Sequence, residues 1–456
     1  MEDGSAPAPD PSAPRTANPD TGSDSEIGTK MRDDWNARAR EDARYYVAFG
    51  SRESDDAAFF ATATEVINRL EWELRRVPLA DRGDWRALEI GCGPGRLMRP
   101  MSRHFVEIHG VDISDEMIAR AHEKLADIPH AHAHVSDGSS LSAFDAETFD
   151  FVYSYAVFQH IPSRDVVFAY LREARRVMKT GALAILQFSS LQHRRRSEVD
   201  TWDGVRFTSR ELLEFASAHD FQVLTLEGVG TQYLWTTWRK QPPGWVAAQE
   251  TREVDTQVRI RRITNANSSE PVAPSRGRFA SISIWVENLP PEAGLQQLQV
   301  TVGSSLGSVC DISPPDRAGL QQVTVLLPEL EATGLLPVEM LWSQQRISPP
   351  ATLRVIPPGP SVPRIRSVYD GVNLASNGRI ETRSVKLVLE EIARPDEIQV
   401  TVDGFPVSGL ELFCTDPRPQ RFEMNFLLPE EVGPGTRHVE LKIGRRRMPP
   451  VPIEVV

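Results

Sequence analysis

The stretch LEIGCGPGRLM, residues 88–98, places three glycines at alternate positions directly after a short apolar run. The run WRALEI predicts a buried strand, and Gly91, Gly93 and Gly95 predict a sharp turn at its end. Glycine is favoured where the backbone becomes left-handed or where another group approaches the main chain closely. The pattern therefore predicts a ligand that lies against the backbone of this turn.

Two common nucleotide-binding turns do not fit this stretch. A dinucleotide-binding turn has the form G-x-G-x-x-G, but Arg96 stands where its third glycine belongs. A phosphate-binding P-loop needs Lys and Ser or Thr after its last glycine, and here Arg96 and Leu97 follow Gly95. The remaining pattern is E-x-G-x-G-x-G, which begins at Glu89. A nucleotide-dependent oxidoreductase on a similar sheet stays a weaker alternative.

The surrounding chain alternates predicted strands with predicted helices, which indicates a parallel sheet wound on both sides. After the fifth strand and a helix, two strand-like runs follow each other with no room for a helix between them. These two runs should form an antiparallel pair. The predicted strands after WRALEI read VEIHGVDIS, AHAHVSDG, FDFVYSYAVFQHI, ALAILQF, QVLTLEGVG and TQYLWTTWRK.

The glycine turn, the acids that end the next two strands and the closing antiparallel pair resemble the class I S-adenosylmethionine (SAM)-dependent methyltransferases. The resemblance covers about residues 55–240, and its motifs occur in the expected order. It implies an α/β fold with a doubly wound, seven-stranded Rossmann-like sheet. It also implies SAM as the cofactor and no metal ion.

The resemblance also implies which residues hold the cofactor. Glu89 would position the methionine end, and Gly91, Gly93 and Gly95 would lie against the ligand. Asp112 would accept hydrogen bonds from both ribose hydroxyls, as a carboxylate can. Ile113 would pack on the adenine face, Asp137 would receive the adenine amino group, and the Gly138 backbone would lie beside it.

Several residues are candidates for the acceptor side of the site. His160 is the attractive proton acceptor near the end of the fourth strand, and Tyr155 is the candidate for a side chain near the transferred methyl. A structural histidine at a helix start is the alternative for His160. In this family the segment before the first strand often covers the active site, so the predicted substrate pocket includes Trp35, Tyr45 and Tyr46.

The sequence restricts the chemical class of the methyl acceptor but does not identify the molecule. A net charge of −12 and a pI near 5.4 argue against a nucleic-acid substrate. The segment SYAVFQ occupies the place where amide and adenine N-methyltransferases carry an Asn-Pro-Pro-Tyr-type tetrapeptide. We therefore expect a small-molecule or glycan-like acceptor, with O-methylation mildly favoured.

Composition divides the chain into four parts. Residues 1–30 are rich in Pro, Ala, Ser and Asp, which predicts a disordered tail. Residues 31–240 form the predicted methyltransferase domain, with an N-terminal helical cap. Short β-type runs then repeat at an offset near 100 residues, as in LQVTVGS (298–304) and IQVTVDG (398–404). They predict two all-β immunoglobulin-like sandwiches, at 255–356 and 362–456.

The two predicted sandwiches suggest an alternative function, in which they bind a partner. A binding or scaffold protein could recognise a protein or polysaccharide through them, with an auxiliary or inactive methyltransferase domain.

Three cysteines do not make a disulfide framework, and no apolar stretch reaches the length of a membrane span. The acidic N-terminus lacks the apolar core of a secretory signal. These features predict a cytoplasmic protein.

Overall fold

The computed structural model describes residues 24–48, 56–191, 200–254, 258–277, 279–359, 362–372, 378–392, 394–416 and 420–456. Its first part is an α/β unit, and its second part is built from strands. No helix within these ranges combines the length and the hydropathy needed to cross a bilayer.

Seven strands form the sheet of the α/β unit in the order β3-β2-β1-β4-β5-β7-β6. The first five are parallel, and β7 runs antiparallel to both of its neighbours. This confirms the predicted Rossmann-like sheet and its closing antiparallel pair. The strands are β1 Arg86–Ile90, β2 Glu107–Asp112, β3 Ala131–Val135, β4 Phe149–Ser154, β5 Met178–Phe188, β6 Phe221–Glu227 and β7 Leu234–Lys240.

Helices cover both faces of this sheet. Successive strand residues point to opposite faces, so Ala87 and Leu88 belong to two different apolar cores. Helices α6 and α7 pack on the face of Leu88, whereas α3 packs on the face of Ala87. The helices are α1 Asp24–Ala48, α2 Asp56–Ala61, α3 Thr64–Leu74, α4 Met98–Met101, α5 Asp115–Leu125, α6 Arg164–Val177, α7 Ser209–Ala218 and α8 Trp245–Glu250.

Two local predictions are corrected. Helix α1 begins at Asp24, so residues 24–30, assigned to the disordered tail, are helical. The run VVFAYLREARRVMKTG (166–181) predicts a helix that Gly181 caps. Helix α6 instead ends at Val177 and β5 begins at Met178, so Gly181 lies inside a strand. Gly181 keeps the left-handed backbone, with φ of +89°, that favours glycine at a helix end. The conformation was therefore predicted, and its place in the fold was not.

Within its described residues, the second part contains nineteen strands in two sets. Their bounds are β8 Arg259–Asn265, β9 Val272–Pro274, β10 Ser281–Glu287, β11 Leu298–Val302, β12 Ser305–Ile312, β13 Gln321–Leu326, β14 Gly334–Trp342, β15 Gln345–Arg346, β16 Ala351–Ile356, β17 Arg364–Asp370, β18 Arg379–Ile380, β19 Ser384–Glu390, β20 Ile398–Val402, β21 Phe405–Pro406, β22 Ser408–Asp416, β23 Arg421–Leu427, β24 Gly435–Ile443, β25 Arg446–Arg447 and β26 Val451–Val455. Each set encloses its own apolar core.

The two sets share one strand order, as the sequence repeat predicts. In the first set the pairings run β8-β10-β13-β12 and β12-β11-β14-β16-β9. In the second set they run β17-β19-β23-β22 and β18-β26-β24-β20-β21. In each set one short strand pairs in parallel with the last strand, β9 with β16 and β18 with β26. Cys310 in β12 and Cys414 in β22 therefore lie on equivalent strands.

The first all-β set is joined to the edge of the α/β sheet. Strand β6 would otherwise be an edge strand, but the amide of Leu295 donates to the Val223 carbonyl at 2.8 Å. The side chain of Gln296 accepts from the Val223 amide at 3.0 Å and donates to the Phe221 carbonyl at 2.6 Å. Asp311 in β12 pairs with Thr225. These contacts satisfy backbone groups that an open edge exposes.

An ionic cluster lies beneath this junction. Nε of Arg76 lies 2.6 Å from Oε2 of Glu73, and both side chains are only 3% exposed. Arg76 also donates to the Ile312 carbonyl at 2.5 Å and lies 3.7 Å from Asp311. Burial raises the pKa of Asp311 to about 7. Arg76, two residues after the end of α3, therefore ties the α/β unit to the first all-β set.

Candidate functional site

A cavity of about 250 Å³ opens at the carboxyl ends of β1, β2 and β4. Ligands of open parallel sheets bind at this edge, where the strand order reverses. Helix α1 forms the opposite wall. The cavity brings together nine residues predicted for the site, namely Trp35, Tyr46, Glu89, Gly91, Gly93, Asp112, Ile113, Tyr155 and His160.

The first two glycines of the turn need to be glycine. Gly91 has φ of +75°, and its amide donates to the Val111 carbonyl at 2.8 Å. A Cβ atom on Gly91 would lie 2.1 Å from a methyl group of Val157, which is a severe overlap. Gly93 has φ of +52°, and a Cβ there would contact Val47 of α1 at 3.5 Å. The turn therefore keeps its backbone close to the cavity.

Two other predicted glycines pack against side chains rather than line the cavity. Gly95 has φ of +81°, and a Cβ on it would meet Leu125 of α5 at 3.2 Å. Gly138 has φ of +86°, and a Cβ on it would meet Ile113 at 2.4 Å. Gly95 thus allows close helix packing, and Gly138 leaves room for the Ile113 side chain. Neither glycine is among the cavity residues.

Asp112 organises the loops around it. Its Oδ2 accepts a hydrogen bond from the Gly93 amide at 2.9 Å, and its Oδ1 accepts one from the Ser114 amide at 2.9 Å. Burial raises the pKa of this carboxyl, and the two amide donors act against that rise. Each carboxylate oxygen has a further lone pair, so two hydroxyl donors from a ligand can still be accepted.

The far end of the cavity is apolar with a polar rim. Met31, Ile113 and Tyr170 line it. The Tyr170 hydroxyl lies 3.3 Å from Oγ of Ser136, and Arg32 of α1 donates to the Ser136 carbonyl at 2.8 Å. These contacts fix the first turns of α1 over the ends of β2 and β3. A flat aromatic ring fits such a surface.

Asp137 does not reach this cavity. Its side chain is exposed, and Oδ1 accepts hydrogen bonds from the amides of Ser139 at 2.8 Å and Ser140 at 2.7 Å. Its Oδ2 accepts from the Ser140 hydroxyl at 2.6 Å. These bonds lower the pKa of Asp137 against the opposing effect of burial. The alternative that Asp137 is a turn residue at a strand end describes what the structure shows.

Glu89 is a buried carboxyl with one side-chain donor. It is 3% exposed, and the Tyr153 hydroxyl donates to its Oε2 at 2.9 Å. Burial raises the pKa of Glu89 to about 8, although Tyr153 and the cation of Arg96 oppose the rise. Glu89 is therefore mostly protonated at neutral pH. It faces the cavity next to the glycine turn, where a cationic ligand group would favour its ionised form.

Arg96 lines the same end of the cavity and is 5% exposed. Its Nη1 donates to Oγ1 of Thr62 at 3.3 Å, and its Nε has no hydrogen-bond partner among the described residues. The guanidinium lies 5.7 Å from the ring centroid of Tyr155. Burial lowers the pKa of Arg96 from its usual value. Sequence reasoning treated this arginine only as a departure from other glycine turns.

Tyr155 forms part of an aromatic stack at the cavity mouth. Its ring lies 5.3 Å from Trp235 at an interplanar angle of 7°, and 6.4 Å from Tyr233 at 17°. Burial raises the pKa of Tyr155, so its hydroxyl stays neutral. Tyr153, which the sequence placed on the same side, is fully buried and does not line the cavity.

His160 is neutral and both of its ring nitrogens have partners. Nδ1 lies 2.7 Å from the Trp202 carbonyl, which can only accept, so this nitrogen carries the proton. Nε2 lies 3.2 Å from Nε2 of Gln159 and accepts from that amide. Burial lowers the pKa of His160 to about 4. A base role therefore requires the Gln159 contact to open.

A second glutamine fixes this arrangement. Gln187 is fully buried, and its Oε1 accepts from the amide of Ala156 at 2.8 Å. Its Nε2 lies 3.2 Å from Oε1 of Gln159, which orients the other end of Gln159 towards His160. Ala156 has φ of +57°, which is uncommon for a residue other than glycine. The network holds a strained backbone at the cavity wall.

The cap helix contributes aromatic walls. Trp35 and Tyr46 line the cavity, whereas Tyr45 packs against Tyr46 outside it, with ring centroids 5.2 Å apart. Asp42 interrupts helical geometry inside α1, and its side chain accepts from the Tyr45 amide at 3.0 Å. This break turns the last part of α1 towards the glycine turn. Trp35 also lies 5.4 Å from the ring of His160.

Asn36 fastens the cap helix to α5. Its Oδ1 accepts from the Ser114 hydroxyl at 2.7 Å and from the Glu116 amide at 3.2 Å. Asn36 is 8% exposed. The same Ser114 hydroxyl accepts from the Met117 amide and caps α5. The cap therefore rests on the residues that directly follow Asp112.

Some predicted features lie outside the described residues. Most of the basic loop at 193–204 does so, although residues 200–204 are described. Across the described ranges, no three His, Cys, Asp or Glu side chains are grouped so that they could hold a metal ion. Sequence reasoning also missed Gln187 and Asn36, because only long-range contacts reveal what these amides do.

A family model for a methyltransferase domain matches residues 88–186. The match spans the glycine turn, Asp112 and most of β5. It confirms that the chain carries a methyltransferase domain of the SAM-dependent kind.

Curated relatives match about a fifth of the chain. A ubiquinone biosynthesis O-methyltransferase of Roseobacter denitrificans is 31% identical over 102 residues, which are 22% of this chain and 39% of that protein. Phosphoethanolamine N-methyltransferase 2 of Caenorhabditis elegans is 34% identical over 101 residues, 22% of each chain. The matched segment thus spans well under half of these relatives.

Solved structures that match part of this chain include magnesium protoporphyrin IX methyltransferase from Synechocystis with bound S-adenosylhomocysteine. That match has 15% identity and a TM-score of 0.37, and it covers 47% of this chain and 99% of the other. A phosphoethanolamine N-methyltransferase from Haemonchus contortus has 14% identity and a TM-score of 0.37, covering 49% and 55% of the two chains.

Proposed function

We propose that this protein transfers the methyl group of SAM to a small-molecule acceptor within the cavity. The observation that carries the proposal is the convergence of Glu89, the glycine turn and Asp112 on one side of that cavity. The family match over residues 88–186 supports the same reaction class. O-methylation is the form we favour, and the matched relatives carry both O- and N-methyltransferase names.

The donor set around the cavity fits SAM. Asp112 offers both carboxylate oxygens to hydroxyls, and Ile113 and Tyr170 offer an apolar surface for a base. Glu89 offers a carboxyl to the cationic methionine end. When bound, SAM supplies a methyl group that is already activated on a sulfonium sulfur.

The residues of this chain then contribute mainly by holding the two reactants in position. The glycine turn and Asp112 fix one reactant, and the aromatic walls of Trp35, Tyr46 and Tyr155 enclose the other and exclude water. Alignment of this kind accounts for a large part of the rate of such transfers. His160 donates to the Trp202 carbonyl and accepts from Gln159, so it acts as a positioning residue in this resting arrangement.

We also propose that the second part of the chain forms two immunoglobulin-like sandwiches. Their four-stranded sheets, and the short strand that pairs in parallel with the last strand, support this interpretation. The fold does not identify a ligand for these sandwiches. A protein or polysaccharide ligand has no support from the comparisons.

The proposal is tested by calorimetric binding of SAM to the full chain. Wild type should bind, and Asp112→Ala should lose about tenfold or more in affinity, because two charge-assisted hydrogen bonds disappear. Asp137→Ala is the matched control, since this acid also ends a strand but lies outside the cavity. Its affinity should stay within about threefold of wild type.

Two results would contradict the proposal. If wild type binds neither SAM nor S-adenosylhomocysteine, the enzymatic reading fails, and a binding or scaffold role for the all-β part becomes the better one. If the loss in Asp137→Ala equals that in Asp112→Ala, the cofactor lies elsewhere on the sheet edge.

A further inference from the structure

Arg96 is a buried cation without a charged partner. Its side chain is enclosed by the glycine turn and Thr62, and the residue is 5% exposed. Its hydrogen bond to Thr62, at 3.3 Å, is to a neutral hydroxyl. Among the described residues no carboxylate lies within ion-pair distance of it, and its Nε is unpartnered. Buried arginines are almost always paired, so this one is unusual.

The nearest acids do not supply the missing charge. Glu89 lies close enough to interact electrostatically with Arg96, but its raised pKa keeps it mostly protonated at neutral pH. Asp112 does not act on Arg96 electrostatically, whereas Glu89 and Tyr155 do. The guanidinium therefore gives the cavity wall a positive charge that the described part of the chain leaves without a paired carboxylate.

The position of Arg96 makes this charge available to a ligand. It lies at the cavity wall beside the ring of Tyr155, next to the aromatic mouth formed by Tyr155 and Tyr233. Arginine presents a planar fork of donors that matches carboxylate and phosphate oxygens. An anionic oxygen group entering from the mouth would supply acceptors for guanidinium protons that Thr62 does not use.

We propose that Arg96 binds an anionic oxygen group, a carboxylate or a phosphate, on the methyl acceptor. This inference rests on the proposed function and narrows its acceptor to an anionic small molecule. SAM also has a carboxylate, but its ammonium and sulfonium leave the whole molecule with one net positive charge. When SAM binds, ionisation of Glu89 balances the charge that the cofactor brings, so Arg96 remains a cation that an anionic acceptor can compensate.

The test titrates small probe anions into the protein saturated with S-adenosylhomocysteine. The probes are acetate, benzoate and inorganic phosphate, and acetamide and benzamide are neutral matches for the two carboxylates. Wild type should bind at least one anion more tightly than its neutral match. Arg96→Gln should weaken that binding by about tenfold or more, because it removes the only charge that distinguishes anion from amide.

Two further variants separate the effect of the Arg96 charge from a general effect of substitution. Arg99→Gln is the matched control, because Arg99 follows Arg96 closely but pairs with Asp127 at the surface, and it should bind anions like wild type. Arg96→Lys retains a positive charge and should keep a preference for anions over amides. Binding of S-adenosylhomocysteine to each variant shows that it is folded.

Each remaining outcome overturns the inference. Equal binding of anions to wild type and Arg96→Gln means that Arg96 has no role in anion binding. If no probe anion binds wild type better than its amide match, the site does not recognise anions. If Arg96→Gln weakens S-adenosylhomocysteine but not 5′-methylthioadenosine, which lacks the amino-acid part, Arg96 serves the cofactor carboxylate instead. Failure of wild type to bind S-adenosylhomocysteine at all overturns the proposed function itself.

Discussion

The hydroxyl of Tyr153 donates a 2.9 Å hydrogen bond to Oε2 of Glu89, and both residues are buried beneath the glycine turn. The bond joins adjacent parallel strands, β4 and β1, and it holds the carboxyl at the cavity wall. Because burial outweighs this bond, the pKa of Glu89 is about 8. The site therefore stores a proton at the place where a cationic ligand group is expected.

Cofactor binding should release that proton. A cationic methionine end beside Glu89 favours the carboxylate, so SAM binding at pH 7 should release about one proton, and release should fall towards zero above about pH 9. Calorimetry of SAM binding in buffers of different ionisation enthalpy measures this number. Glu89→Gln should release close to none. Equal release from wild type and Glu89→Gln would assign the proton to another group.

The same carboxyl should make the ligand-free protein less stable in alkali. The folded pKa of Glu89 lies above its unfolded value of about 4.5, so its stabilising contribution is complete below that value and is lost as pH rises through about 8. The thermal midpoint of the α/β unit should therefore fall more between pH 5 and pH 9 in wild type than in Glu89→Gln. A parallel decline of both proteins would show that Glu89 is not responsible.

His160 should stay neutral throughout the physiological range. Its folded pKa of about 4 and the contact between Nδ1 and the Trp202 carbonyl predict one fixed tautomer, protonated on Nδ1, from about pH 5.5 to 8. Nitrogen-15 NMR of the imidazole measures both the tautomer and the titration. The exposed ring of His438 serves as an internal comparison. A midpoint near 6.5 for His160 would restore the case for a general base.

Asn36 should control how firmly the cap helix closes the cavity. Asn36→Ala leaves the Ser114 hydroxyl and the Glu116 amide without their acceptor, which should weaken SAM binding by about tenfold, mainly through faster dissociation. Stopped-flow release of S-adenosylhomocysteine measures this. The control is Arg40→Ala. Arg40 lies on α1, like Asn36, and this variant removes only a surface ion pair with Glu116 of α5. If Arg40→Ala speeds the release of S-adenosylhomocysteine as much as Asn36→Ala does, any loosening of α1 weakens cofactor binding, and Asn36 has no special role.

Arg76 should hold the α/β unit and the first all-β set together. Arg76→Met keeps most of the side-chain volume but leaves Glu73 and Asp311 buried without their cation, which should cost about 3–5 kcal/mol. Hydrogen exchange at the Val223 amide, which bonds to Gln296 across the junction, should become faster. Arg86→Met removes an exposed pair with Glu107 and should leave this amide protected. Unchanged exchange in Arg76→Met would contradict the proposed coupling.

The parts of the site that follow from strand periodicity could be predicted from the sequence. Glu89 and Asp112 lie within or at the end of apolar runs, and the carboxyl ends of parallel strands meet at one edge, so their convergence could be predicted. Asp137 occupies a similar position on the third strand, but the two serines that follow it satisfy its carboxylate locally. The pattern of the strand does not distinguish these two outcomes.

Features that depend on long-range contacts could not be predicted. Arg96 is unusual only because Thr62, far away in sequence, is its one side-chain partner within the described residues. Gln187 lies in an apolar strand, and its network with Ala156 and Gln159 joins three separate segments. The start of α1 at Asp24 also escaped prediction, because Ile27 is the one aliphatic residue in 24–30, and its packing against the core beside Met31 is visible only in the folded chain.

The junction at β6 has a consequence for synthesis of the chain. On the ribosome the seven strands of the α/β sheet emerge first, and N-terminal units begin to fold before later ones are made. The amide and carbonyl groups of Val223 then have to wait for Leu295 and Gln296, and Thr225 has to wait for Asp311. During that interval the nascent sheet exposes an edge that another chain can pair with. A translational pause that leaves β6 and β7 outside the ribosome while residues 295–311 are still inside it should therefore promote aggregation. A pause after the whole first all-β set has emerged should not.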